Sequence, residues 1–305
     1  MKFESLCLAC AAALAASVFA AAAFAQPAPS DGPIDGQLVR LDVKKLWRFA
    51  FLPNAPLLDS QRIGKGIITS SISPDGSQAV MFERGKPQEP NILHRWANGK
   101  TTKILESRDV SSYIEWADDH QIDIRETNAP FFRDGAKLRY EVSAKPKLKT
   151  RLPHADSQFV VYDHDDVIIL ESKKTRTLQA ISDPAADRYY APMLSPDERF
   201  VAFSGLRSGV LVFDIEANAI VFIGSHGTDP SFSPDGRYLI YADTRDDGHA
   251  YTQANLVLVD LHKRTYRILA NPNHEIRLRA SLSRNAEFVS YTTIDGDAYR
   301  AKIDK

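Results

Sequence analysis

Ser231-Phe-Ser-Pro-Asp-Gly-Arg-Tyr-Leu-Ile-Tyr-Ala242 spells a tight turn and a strand in twelve residues. In Ser233-Pro234-Asp235-Gly236 the proline presets φ at the second turn position. The aspartate can bond its neighbouring backbone, and the glycine accepts the positive φ that follows. The run Tyr238-Leu239-Ile240-Tyr241 is too short for a helix and rich in aromatic and branched residues, so it reads as a buried second strand. Ahead of the turn, Pro230-Ser231-Phe232 forms a short first strand. Its proline lacks a ladder donor, so one edge of this strand should be free of hydrogen bonds, as it is for the strand nearest the hole of a propeller blade.

Copies of the unit recur along the chain. Ser71 to Gly76 leads into Ala79-Val-Met-Phe82, and Leu194 to Glu198 leads into Phe200-Val-Ala-Phe203, with Pro192 standing where Pro230 does. Ser281 to Ala286 leads into Phe288-Val-Ser-Tyr291 with degraded turn residues. Weaker copies run from Trp116-Ala-Asp-Asp119 into Ile122 and from His154-Ala-Asp-Ser157 into Phe159. The residue equivalent to Ser233 falls at 73, 116, 154, 195, 233 and 283, a spacing of 38 to 50. A period of about 40 built from short strands marks propeller blades, each too small to bury its own faces. The fold class expected is all-β: a six-bladed β-propeller of four-stranded antiparallel blades. Asn98-Gly99 marks an outer hairpin of the first blade.

The Ser-Pro-Asp-Gly turn followed by an apolar strand resembles the repeat of TolB-like propellers, over roughly Ile67 to the C-terminus. That resemblance implies a periplasmic six-bladed scaffold. Related blades also precede the catalytic domain of prolyl-oligopeptidase-like enzymes, so the repeat by itself says little about activity. The chain has no room for the extra N-terminal α/β domain of TolB-like proteins, which argues against a role in the Tol–Pal system itself.

Residues 1–25 read as a signal peptide: Lys2, an alanine-rich apolar run, and Ala23-Phe24-Ala25 as the cleavage signal before Gln26. Cleavage would leave a periplasmic or secreted protein with no stable membrane anchor. Both cysteines, Cys7 and Cys10, lie in that segment, so the mature chain has no disulfide, thiolate metal site or cysteine nucleophile. A net charge of −1 argues for neither nucleic acid nor anionic lipid as partner. Residues 26–36 read as a flexible leader and 37–305 as a single propeller domain, expected to be a monomer. The last blade runs out of chain after Ala298 to Ile303, one strand short. An N-terminal strand should close the ring there, Leu38 to Val43 as first choice and Leu46 to Leu52 as second.

Functional residues should collect on the face opposite the serine turns, where loops enter each inner strand and join the second strand to the third. That face gathers Arg108, Asp187, Arg188, Tyr190, His226, Asp229, Arg245, Asp247, His249, Tyr251, His274 and Arg277. Arginine and tyrosine are enriched at interface hot spots, so this rim suits a protein or peptide partner of the cell envelope. Asp163-His-Asp-Asp166 and Asp243 to Gly248 are carboxylate-rich but lack the grammar of a calcium loop, and the first fits a tight turn. No metal and no cofactor is assigned. No Gly-x-Ser-x-Gly elbow occurs, and the repeated serines are explained as turn residues, so no catalytic residue is assigned and the reading leans away from an enzyme. The alternative is a hydrolase or lyase acting on a carbohydrate, lactone or peptide at the channel mouth. Convergence of His226, His249 and His274 with carboxylates in a pocket would favour it; dispersal over an open rim favours a scaffold.

Overall fold

The structure, a computed structural model, describes residues 39–108, 110–126, 137–143, 147–152 and 157–305. The expected signal peptide, the leader and Asp109 lie outside these residues. Within them the strands form six separate sheets, and the protein is a six-bladed β-propeller. Blade one comprises Thr69–Ile72, Gln78–Glu83, Asn91–Ala97 and Lys100–Ser107. Blade four comprises Tyr189–Leu194, Phe200–Gly205, Gly209–Asp214 and Ala219–Gly224. Blade five comprises Gly227–Phe232, Tyr238–Asp246, Tyr251–Asp260 and Thr265–Ile268. In each the first strand is innermost and pairs on one edge only, as Pro230 and Pro192 require.

The repeated serines are structural, for a reason visible at each. Ser73, Ser195, Ser233 and Ser283 are all buried, with at most 1% of their surface exposed. Each hydroxyl accepts from the amide five residues on: Gln78 at 3.0 Å, Phe200 at 2.8 Å, Tyr238 at 3.0 Å and Phe288 at 2.9 Å. The hydroxyl then donates to the turn carboxylate, Asp75, Asp197 or Asp235, or to the Asn285 amide oxygen. A buried hydroxyl that both accepts and donates costs little to bury. The turn's fourth residue has positive φ in each of these four copies, at Gly76, Glu198, Gly236 and Ala286. Glycine is needed at two of these. A Cβ on Gly76 would lie 2.2 Å from the Phe288 ring of blade six, and one on Gly236 2.6 Å from the Asp197 carboxylate of blade four. The turns therefore interlock around the ring as well as closing their own hairpins.

Between blades the apolar faces meet. Phe200, Val212 and Phe222 of blade four pack on Leu239, Val257 and Val259 of blade five. Ile240, Leu256 and Leu258 of blade five pack on Leu278, Val289 and Ala301 of blade six. Similar clusters join blade six to one, one to two, and three to four. Fully burying one such Leu, Val or Phe contributes about 1.5–3 kcal/mol, so these seams hold the ring. Among the described residues no such cluster joins blade two to blade three.

Blades two and three depart from the regular pattern. Blade two holds Val110–Trp116, Gln121–Glu126, Lys137–Glu141 and, as its outer strand, Lys147–Leu152. Blade three has three strands among the described residues, Phe159–His164, Val167–Ser172 and Leu178–Ala180. Its first described strand takes the place that second strands hold elsewhere, directly after Ser157 and Gln158. Asp165 and Asp166, both with positive φ, are the tight turn of its first hairpin, as the sequence allowed.

An N-terminal strand does close the ring, but the closing segment expected from the sequence is corrected. Blade six consists of Arg277–Leu282, Phe288–Thr293, Ala298–Ile303 and an outer strand Leu57–Gly64, which runs antiparallel with Leu57 opposite Ile303 and Gly64 opposite Ala298. Residues 39–43 form no strand. The chain from Val39 instead wraps the outer edges of consecutive blades. The Val39 amide bonds Ala180 O of blade three at 3.1 Å, and the Trp47 amide bonds Val221 O of blade four at 2.9 Å. Ala50–Phe51 then pairs in parallel with Thr265 and Tyr266 of blade five. Trp47 lies edge-on to Phe200, and Phe49 lies edge-on to Phe222 at 4.9 Å. The apolar Leu46 run was therefore a packing strap between blades rather than a closing strand. The true closing strand is mostly exposed and twice bulged, so it carries no alternating pattern.

Candidate functional site

The face opposite the serine turns is built from the starts of the inner strands and the loops beside them. Three consecutive inner strands carry the same irregularity there. Blades four, five and six have register shifts after Tyr190, Thr228 and Leu278. The next residue in each, Ala191, Asp229 or Arg279, has a left-handed φ near 50°. Each stands four residues before its buried serine. Bulges re-aim side chains, and non-glycine residues held at positive φ cost of order 1 kcal/mol or more, a cost that clusters at functional sites.

Around these bulges the structure brings together Tyr190, Asp229, Tyr251 and Arg279. Tyr190 and Tyr251 are 39% and 37% exposed, unusual for large rings in this molecule. Burial pushes the Asp229 carboxyl above the usual range, opposed by the positive charge of Arg279. Burial, together with the Asp229 charge, raises both Tyr190 and Tyr251 phenols, which therefore stay protonated donors at neutral pH. The Arg279 guanidinium reaches across to blade one and donates to Ile68 O at 2.9 Å. Asp229 and Arg279 thus stand beside two partly exposed phenols.

Sequence reasoning missed Arg279, although its offset from Ser283 equals that of Asp229 from Ser233. Two expected rim residues are buried, with their side chains turned into the protein. Asp187 accepts from the Arg188, Arg207 and Ser208 amides and the Ser208 hydroxyl at 2.7–2.8 Å. Burial alone would raise its pKa, but these bonds outweigh it and hold the carboxyl below the usual value. Arg277 donates to Glu275 at 3.1 Å and to Ala270 O at 2.8 Å, and lies over the Tyr291 ring. Both side chains hold their own loops in place.

The remaining candidates are spread over the rim. Arg108 donates to Gln88 O, and Arg188 lies 3.8 Å from Asp166. Arg245 contacts Asp243 at 3.2 Å. The exposed Asp247 carboxylate accepts from the His249 and Ala250 amides, which hold its pKa down. His226 and His274 are exposed turn residues with positive φ. None of His226, His249 and His274 reaches a carboxylate through its ring among the described residues. Nor do any three His, Cys, Asp or Glu side chains there gather in a way that could hold a metal.

No family model matches this sequence, and no curated protein matches it. Among solved structures the chain is similar to the C-terminal WD40 domain of Sif2, at 12% identity and a TM-score of 0.39, over 78% of this chain and 70% of that one. It is also similar to a chain of the mitotic checkpoint complex, at 13% identity and a TM-score of 0.49, over 81% of this chain and 94% of that one. Neither likeness carries weight on function; the strand order already establishes the propeller.

Proposed function

We propose that this protein is an exported, TolB-like propeller scaffold whose channel mouth on blades four to six binds a protein or peptide partner of the envelope. The observation that carries the reading is the trio of strained inner-strand bulges at Ala191, Asp229 and Arg279, beside the half-exposed rings of Tyr190 and Tyr251. Tyrosine rings offer a partner large contact area at low entropic cost, and Arg279 brings a positive charge to the same mouth. The dispersed histidines of the rim support binding over chemistry.

The test is capture from envelope extract with the chain beginning at Gln26, followed by titration of the captured partner. Tyr190→Ala with Tyr251→Ala should weaken binding about tenfold or more, by analogy with interface aromatic anchors, and leave the melting temperature nearly unchanged. Altering the Asn98-Gly99 turn on the opposite face should change nothing. Equal losses from both variants would place the site on the wrong face. Intact mass of periplasmic material should begin at Gln26.

A further inference from the structure

A second recess lies away from the channel, on the outer wall between blades four and five. It has a volume of about 320 Å³ and is walled by the rings of Trp47, Phe49, Phe222, Tyr241 and Tyr266. Three of its lining residues, Leu46, Trp47 and Phe49, come from the N-terminal strap, so the recess exists only while the strap is seated. Asp243 is the one lining residue that carries a charge, and Ser225 stands exposed beside it.

Two features are unlike ordinary imperfect packing. Tyr241 is 5% exposed and lines the recess, yet its hydroxyl makes no hydrogen bond among the described residues. The hydroxyl opens onto the recess, so a polar group bound there can reach it. The Asp243 carboxylate spends one oxygen on Arg245 at 3.2 Å, leaving the other without a bond. Burial, and after it the charge of Asp243, raises the Tyr241 phenol, so carboxylate and phenol act on the same small volume.

We infer that this recess is a site for a small organic cation, an ammonium group on an apolar or aromatic body. The carboxylate and the aromatic faces favour positive charge, and the unpartnered phenol can accept from an ammonium N–H. The volume stands at the low end of small-molecule pockets, which run from about 300 Å³ upward, so the ligand is a compact amine. Because the strap completes the site, ligand binding should also tighten the strap by mass action.

The test is calorimetric titration of the chain beginning at Gln26 with phenethylammonium, 2-phenylethanol and phenylacetate, three probes of one shape and different charge. The cation should bind saturably and raise the melting temperature. The alcohol should bind at least about tenfold more weakly and the anion not at all. Asp243→Asn should cost the cation about tenfold, and Tyr241→Phe about threefold. Ser225→Arg, at an exposed position, should abolish binding with the fold intact. The inference is overturned if the wild type gives no saturable heat with the cation, or if the three probes bind alike. It also fails if a folded Asp243→Asn or Ser225→Arg protein binds the cation as the wild type does.

Discussion

Blades four to six and blades two to three are built on one repeat, yet they are held together differently. In blade four the second and third strands are buried at every position, and seams of Phe, Val and Leu continue into blades three, five and six. The strap then crosses the outer edges of blades three to five before its continuation becomes the outer strand of blade six. In blade three the first described strand is nowhere fully buried. Blade two adds ion pairs to its apolar seam with blade one: Arg139 grips Asp123 at 2.7 and 2.8 Å, and Lys137 lies 2.5 Å from Glu115. Partly exposed pairs of that kind contribute at most about 1 kcal/mol each, less than one buried aromatic side chain. Blades four to six pack apolar face to apolar face, blade six despite its degraded turn. Between blades two and three no such seam exists among the described residues, so this arc should be the softer one.

The sharpest way to break this comparison is to remove the strap. Deletion through Gly64 should lower stability by several kcal/mol, because it opens the ring and uncovers the outer edge of blade six. Deletion through Val43 should cost far less, since among the described residues that part holds on through one backbone bond to blade three, the Val39 side chain and the exposed Arg40–Asp183 pair. Denaturant melts of the two truncations check this; equal stabilities would show that closure does not depend on Leu57–Gly64.

A second contrast compares single rings. Phe203→Ala, fully buried in blade four, should cost about 3–5 kcal/mol, whereas Phe159→Ala in blade three should cost less than half of that. Comparable losses would mean that the two arcs are packed alike. Native-state hydrogen exchange should agree, with blades two and three opening before blades four to six.

Asp235→Ala removes the acceptor for the Ser233 hydroxyl and should cost about 1–2 kcal/mol, with partner binding per folded molecule unchanged. A loss of binding at an unchanged melting temperature would make the turn functional.

The smallest effect concerns acid, and it has opposite signs in the two arcs. Asp187 and Asp260 are held below their usual pKa: burial opposes this, but hydrogen bonds outweigh it, including that from Arg237 to Asp260. Their contribution is present above about pH 4, the unfolded value, and is lost as pH falls through the lowered folded values. Asp163 of blade three is raised, by burial and then by the Asp166 charge. Its ionised form is disfavoured in the fold, so that blade should gain slightly as pH drops toward 4. Exchange protection followed from pH 7 to 3 should rise a little at Phe159–His164 before protection in blades four and five falls. A fall in all blades together would remove the distinction.

The local sequence by itself determined the blades. Ser-Pro-Asp-Gly and the short apolar run after it dictate a hairpin whatever surrounds them, because φ presetting, a side-chain bond and a positive-φ residue act within five positions. The count of six, the Asn98-Gly99 hairpin and the free inner edges followed from that. The closing strand was not legible, because an exposed outer strand needs no apolar alternation. Its one clue was positional: Gly64 stands nine residues before Ser73, as Gly224 stands nine before Ser233. Asp187 and Arg277 looked like rim residues because the sequence records their chemistry and loop, whereas burial and hydrogen-bond partners come from residues elsewhere in the chain. Tyr190, Asp229 and Arg279 are about 40 to 50 residues apart in sequence and share one mouth only because each inner strand bulges at the same register and the ring sets the strands side by side. Local backbone preferences can be written into neighbouring residues. Which side chains meet across blades depends on ring closure and burial, and these exist only once the chain has gone all the way round.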